Sequence, residues 1–270
     1  MMRLYLPAGI LLLWCLMALF GPLLPLEPDR IDLPHILNGP GAEYWLGTDD
    51  LGRSVLDRLV VGAATSFTVA LGVMCISSLV GILVGAFAAY IGGAVDLLLM
   101  RIIDVFLAFP GILLAIALAG VMGSGIDNVI IALSVVGWVG YARLARAQVL
   151  SFKHRDHVTA AIALGTGHVR IVMRHLLPLI AAPLIIEATF GVASIVIAEA
   201  GLSFLGLGVQ PPEASWGSMI RDGTRYMLVA PHMVLAPGMA ILLVVLAVNL
   251  LGDYLRDWLD VRNTTEQKNW

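Results

Sequence analysis

The chain has 270 residues, of which 59% are hydrophobic and only 13% charged, and its mean hydropathy is +0.92. A soluble domain carries roughly 25% charged residues, so this composition excludes an ordinary cytosolic enzyme, a nucleic-acid binder and a disordered linker. Long unbroken apolar runs, in place of alternation, exclude a porin-type barrel. What remains is an all-α, polytopic membrane protein, and its formal net charge of −3 matters less than where the charges lie.

A helix crosses the bilayer with about 20 apolar residues. No charge lies between Arg3 and Glu27, so residues 4–26 are the first expected span; the run is too long for a secretory signal and no small-residue cleavage site follows. A polar stretch over 27–58, rich in Pro, Gly and Asp, comes next. The uncharged run 59–95 is expected to hold one span, at 65–91, broken by Gly92-Gly93. Spans at 102–122, 128–150, 178–200 and 232–251 complete a set of six, with Gly123-Ser124-Gly125 turning between the third and fourth. Arg143 and Arg146, near the end of the fourth, are placed to snorkel to the headgroups. Cys15 and Cys75 sit in apolar runs without metal-ligand spacing and read as small buried side chains. The expected organisation is a first helix and extracytoplasmic loop over 1–64, a core over 65–253 with a cytoplasmic loop at 151–177, and a cytoplasmic tail over 254–270.

Charge asymmetry orients the spans. Residues 141–175 hold Arg143, Arg146, Lys153, Arg155, Arg170 and Arg174 against Asp156 alone, whereas residues 27–58 hold Arg30, Arg53 and Arg58 against seven acids. Basic side chains stay on the cytoplasmic face. Loop 141–175 and both termini are therefore expected inside, with 27–58 and 201–231 outside.

The cytoplasmic loop carries the most specific pattern, RDHVTAAIALGTGHVRIVMRHLLP from Arg155 to Pro178. Residues 155–164 favour a helix through Ala160, Ala161 and Ala163. Gly165 and Gly167 end it, residues 169–177 can form a second short helix, and Pro178 suits the first turn of the fifth span. Such an element is too polar for lipid and must lie on the membrane surface. Its alanine face admits another protein's backbone, and Arg155 and Asp156 offer directional polar contacts.

The spacing of Ala160-Ala161, Gly165 and Leu177-Pro178 resembles the "EAA" loop of binding-protein-dependent ABC importer permeases. Thr159 stands where that motif has Glu, and His175 where it usually has Ile. Two outward segments are similar to the oligopeptide/dipeptide/nickel branch of that family. One is Leu46-Gly47-Thr48-Asp49 with Gly52-Arg53; the other holds Ser203-Phe204, Gly206 and Gly208, followed by Trp216-Gly217. Met100-Arg101 with Asp104, and Gly252-Asp253 with Leu259-Asp260, extend the likeness over nearly the whole chain. The long segment between the first two spans resembles the C-type member of a permease pair.

The resemblance implies a type I ABC importer permease fold with six transmembrane helices. It implies a multi-pass protein of the inner membrane of a bacterium or archaeon. Implied partners are a second homologous permease, two ATPase subunits, an extracytoplasmic solute-binding protein and membrane lipid, with no nucleic acid. Residues 155–178 would couple to the ATPases, and the two outward segments would form an outer gate or docking surface. The solute would be a peptide or a related small molecule, the alternative being nickel or a metal chelate. No cofactor is expected in this chain, ATP and Mg being bound by partners, since no GxxxxGK occurs and the only lysines are Lys153 and Lys268.

Glu187 lies mid-way along the fifth expected span, where an ionisable group usually borders a cavity or partner, and is the candidate pathway residue. It would also be the coupling site of an ion-driven secondary carrier, which should show paired broken helices; no pair is visible. Arg101 and Asp104 read as a local ion pair, and Glu199 as a hydrogen-bonding anchor for the outer loop. Gly81 and Gly85 form a GxxxG suited to helix packing. No catalytic constellation and no metal-ligand spacing crosses the bilayer.

Overall fold

Helix α1, Met2–Phe20, passes through a 3-10 turn at Gly21–Leu23. It stops short of the expected residue 26 because Pro22 and Pro25 supply no N–H to continue the ladder. The computed structural model describes the backbone of residues 2–267 and the side chains of residues 4–259. Lys268 and the side chain of Asp260 lie outside the described residues. Among these, everything regular is helical, with a single isolated bridge between Thr48 and Ser54.

Helix α2, Val55–Ile91, takes in the uncharged run as one piece and starts ten residues before the expected span. Ser54 caps it: its hydroxyl accepts the Asp57 N–H at 3.3 Å, and the Asp57 carboxylate complements the helix dipole. At 1.5 Å per residue such a helix is about 55 Å long, well beyond the roughly 30 Å hydrocarbon core. The helix is thus longer than one crossing needs, and its charged residues, Asp57 and Arg58, lie in its first two turns. Gly92, at φ +73°, ends it as expected.

The third expected span, 102–122, is corrected. The chain forms α3, Gly93–Leu107, and α4, Gly111–Met122, bent by 83° at the break between them. Pro110 explains the break: it cannot donate to α3, and it drives the preceding residue out of the helical region. The pair nevertheless crosses the bundle. Lys153 Nζ donates to Ala89 O near the start of α3 (3.1 Å), and the Gly125 N–H after α4 donates to Leu207 O at the other end (3.2 Å). Among the described residues, five helices are long and apolar enough to span, and six spans result when α3–α4 is counted as one.

Helix α5 is Ile126–Phe152 and α6 is Asp156–Ala163. The short α7, His168–Arg170, runs through a π-helical turn, Ile171–Leu176, into α8, Leu177–Phe204. The second loop helix and the fifth span are thus continuous, with Pro178 in the first turn of α8. Helices α9, Trp216–Thr224, and α10, His232–Gln267, complete the chain. The organisational limits drawn at 64 and 253 both fall inside helices, α2 and α10, because neither position carries a helix breaker.

The main seam lies between α2 and α5. A Cβ on Gly81 would lie 2.3 Å from Trp138 O, and one on Gly85 2.2 Å from Ala142 O, so the GxxxG brings the two backbones together. One apolar cluster joins Trp14, Val55, Trp216, Met219 and Met233 at the end opposite loop 151–177; another joins Ala89, Val149, Val158, Ile171 and Leu176 at the loop end. Cys15 is half-buried, but Cys75 is exposed on α2, contrary to the expectation of a buried side chain.

Candidate functional site

Helix α6 is held from one side only. Val158 is fully buried in the cluster of Ala89, Val149 and Ile171 and Ala161 is nearly buried, whereas Arg155, Asp156, Thr159, Ala160 and Gly165 are exposed. The expected alanine face is therefore split: Ala161 faces the bundle, whereas Ala160 and Ala163 are exposed. Arg155 lies over the Phe152 ring at 4.4 Å, and the Thr159 hydroxyl donates to Arg155 O at 3.3 Å. Gly165, at φ +80°, turns the chain out of the helix. His175 and Leu177 are half-buried and Pro178 exposed on the stretch leading back into α8.

Sequence patterning missed the apolar part of this surface. Leu164 is 87% exposed, and Ile162, Val169 and Met173 are exposed beside it. The residue pattern held no clean signal for it, since Ile162, four residues after Val158, stands on the face that Val158 and Ala161 share. Arg146 also departs from expectation. It makes a bidentate pair with Asp96 at 2.5 and 2.8 Å, tying α3 to α5 instead of reaching for headgroups. Arg101 and Asp104 do pair, at 3.6 Å, but both are well exposed, so the contact contributes little.

At the opposite end the two outward segments meet. Gly47 (φ +78°) and Gly52 (φ +76°) turn a loop whose centre, Thr48 and Asp49, is buried, with Leu46 half-buried beside it. Thr48 donates its hydroxyl to His35 O and accepts from Asn38 N at 3.0 Å, while its carbonyl meets His232 Nε2 at 2.9 Å. Asp49 accepts from Leu51 N, Arg53 N and Arg53 Nε, the last at 2.7 Å, with Arg58 Nε at 3.6 Å. In the same loop, hydrogen bonds from the Tyr44 hydroxyl and with His35 hold the Asp32 carboxyl below its ordinary range. The charge of Asp32 thus supports the loop at neutral pH, and that support is lost only as the pH falls through this lowered value.

The second segment begins as the end of α8. Gly206 (φ +85°) closes the helix with its N–H on Ser203 O (3.0 Å), while the Leu207 N–H reaches Leu202 O (3.0 Å), the 5→2 and 6→1 bonds of a Schellman motif. Gly208 is required because a Cβ there would lie 1.9 Å from the Ser203 hydroxyl. Glu199 is buried as an anchor: its carboxylate accepts from Ser66 at 3.0 Å and Ser203 at 2.8 Å. Trp216 is 2% exposed and donates to Leu59 O at 3.0 Å, so it is core; Phe204, 41% exposed, is the aromatic left on the surface.

Between the two ends lies a recess of about 320 Å³ walled by α2, α4, α5 and α8. Glu187, Gly191, Ser194 and Ala198 line it from α8, spaced to share one helix face. Glu187 and Ser194 are exposed. Ser77 and Tyr141, buried at 1% and 5% exposure, also line the recess, and neither hydroxyl has a hydrogen-bond partner among the described residues. Sequence reasoning found Glu187 but missed these hydroxyls. The signal was in the glycines: a Cβ on Gly191 would lie 2.6 Å from the Tyr141 hydroxyl, and one on Gly137 2.7 Å from the Ser77 hydroxyl.

A carboxylate exposed mid-way along a spanning helix does not face hydrocarbon; it borders water or another subunit. Such a face is what a solute path would need along its wall. The chain belongs to the family described as the binding-protein-dependent transport system inner membrane component, whose model matches residues 81–265, and is a transmembrane permease of ABC importers. It is 41% identical to the nickel transport system permease protein NikC of Escherichia coli K12 over 243 residues, 90% of this chain and 88% of that protein. It is 42% identical to the dipeptide transport system permease protein DppC of Alkalihalophilus pseudofirmus over 246 residues, 91% and 81% of the two chains. It is also 41% identical to the glutathione transport system permease protein GsiD of Escherichia coli over 232 residues, 86% and 77%.

Proposed function

We propose that this chain is the C-type member of a permease pair, forming half the translocation path of an ATP-driven importer for peptides or a related small solute. A second homologous permease faces its recess, and two ATPase subunits bind the exposed side of α6. A solute-binding protein delivers cargo to the outer end. Both termini are cytoplasmic, as the basic loop 141–175 requires. This chain holds no nucleotide and performs no hydrolysis; ATP and Mg belong to the ATPases.

The single observation that carries this reading is the exposed Glu187 on the small, polar face of α8. A nickel or metal-chelate importer is the second reading, supported by the likeness to NikC. An ion-driven carrier is disfavoured, because a single broken span is not the repeated pair of an inverted-repeat transporter. Purification in mild detergent should recover a second permease, two ATPases and a binding protein; a chain isolated alone and still active would contradict the assembly.

The path itself has a direct test. Ser194 and Ile185, both exposed, lie half a turn apart around α8. With Cys15 and Cys75 replaced by Ala, Ser194→Cys should react with a charged, membrane-impermeant thiol reagent in the working transporter, and Ile185→Cys should not. Equal reactivity, or the reverse order, would place the path elsewhere.

A further inference from the structure

We propose that the recess between α2, α4, α5 and α8 is a subsite for a primary ammonium group, the free N-terminus of a small peptide, with Glu187 as counter-ion. This rests on the reading of that face as the translocation path. At about 320 Å³ the recess is at the small end of ligand pockets, sized for one residue and its side chain.

Its chemistry is one-sided. Glu187 is the only charged residue among the described residues that line it, so an anionic group is repelled. Ser77 and Tyr141 bring buried hydroxyls that nothing among the described residues satisfies, and buried polar groups normally have partners. A primary ammonium has three donors and no acceptor. One carboxylate with hydroxyl lone pairs therefore matches its needs, while the apolar remainder, such as Val73 and Ile112, takes a side chain.

A bare transition-metal ion fits poorly. It seeks several imidazole, thiolate or carboxylate ligands, and the recess offers one carboxylate, no His and no Cys. No group of three or more His, Cys, Asp or Glu able to hold a metal occurs among the described residues.

The test is equilibrium binding of radiolabelled Leu-Ala to the purified complex in lipid nanodiscs without the binding protein. N-acetyl-Leu-Ala and nickel chloride serve as competitors. The expected result is saturable Leu-Ala binding, with N-acetyl-Leu-Ala competing about tenfold less well, since acetylation removes the charge-assisted hydrogen bonds. Nickel should not compete. Glu187→Gln, a same-sized change at an exposed position, should weaken Leu-Ala about tenfold, and Tyr141→Phe should weaken it less. Recovery of the whole complex with each variant shows that it has assembled. Absent Leu-Ala binding, equal competition by the acetylated peptide, competition by nickel or unchanged affinity in Glu187→Gln would each overturn the assignment. If Ser194→Cys is labelled while any of these holds, only the ammonium subsite falls. If Ser194→Cys is also unreactive, the path reading falls with it.

Discussion

Leu164→Asp is expected to abolish ATP-driven uptake while the chain reaches the membrane at its normal level. Leu164 is 87% exposed, so the fold loses almost nothing; surface changes of this kind stay within about 0.5 kcal/mol. Its value lies in the partner it meets. An apolar anchor at the centre of an interface commonly contributes about 2 kcal/mol or more, roughly a thirtyfold loss of affinity, and a carboxylate desolvated in its place adds to that. Uptake in cells and the amount of ATPase recovered with the purified chain are the two readings. Normal import with full ATPase recovery would remove Leu164 from the docking surface.

The second large effect is on the fold. Trp216→Ala should lower the thermal midpoint of the complex and the amount of chain in the membrane, because truncating a buried Trp costs about 3–5 kcal/mol. Trp216 fills the outer core beside Trp14, with ring centroids 6.1 Å apart, and its indole N–H is bonded to Leu59 O. Trp216→Phe should restore part of the packing without the hydrogen bond and fall between the two. A midpoint unchanged in the Ala variant would contradict the core role. Phe204, still exposed, is then the outer-end residue whose substitution can test contact with a delivery protein without unfolding this chain.

The spans and the surface helix were legible because hydrocarbon thickness and charge leave few alternatives: uninterrupted apolar runs must be helices, and the segment between Arg155 and Gly165 could not be one of them. Helix ends were less legible. The charged turn holding Asp57 and Arg58 concealed that α2 begins at Val55, ten residues before the expected span. Pro110 was visible inside the third run, yet a proline alone does not distinguish a mild kink from the 83° break observed. The motif segments at 46–53 and 203–217 were visible as segments, whereas their burial was hidden. Thr48, Asp49 and Trp216 look like solvent-facing loop residues until α2 and α10 close over them. Ser77 and Tyr141 could not be paired with Glu187 from sequence, since the three residues lie on three different helices of the four that wall the recess.

The central claim is that α6 and the turn after it are the handle by which an ATPase moves this bundle. Ala160→Cys, on the exposed side of α6 and in a chain otherwise free of cysteine, offers the most direct measurement: cross-linking within the intact complex using a short thiol-to-amine reagent. The expected product is one adduct with the mass of this chain plus one ATPase subunit, weakened by Leu164→Asp. Labelling of the same cysteine by an impermeant reagent added outside sealed cells, with no adduct formed, would contradict it.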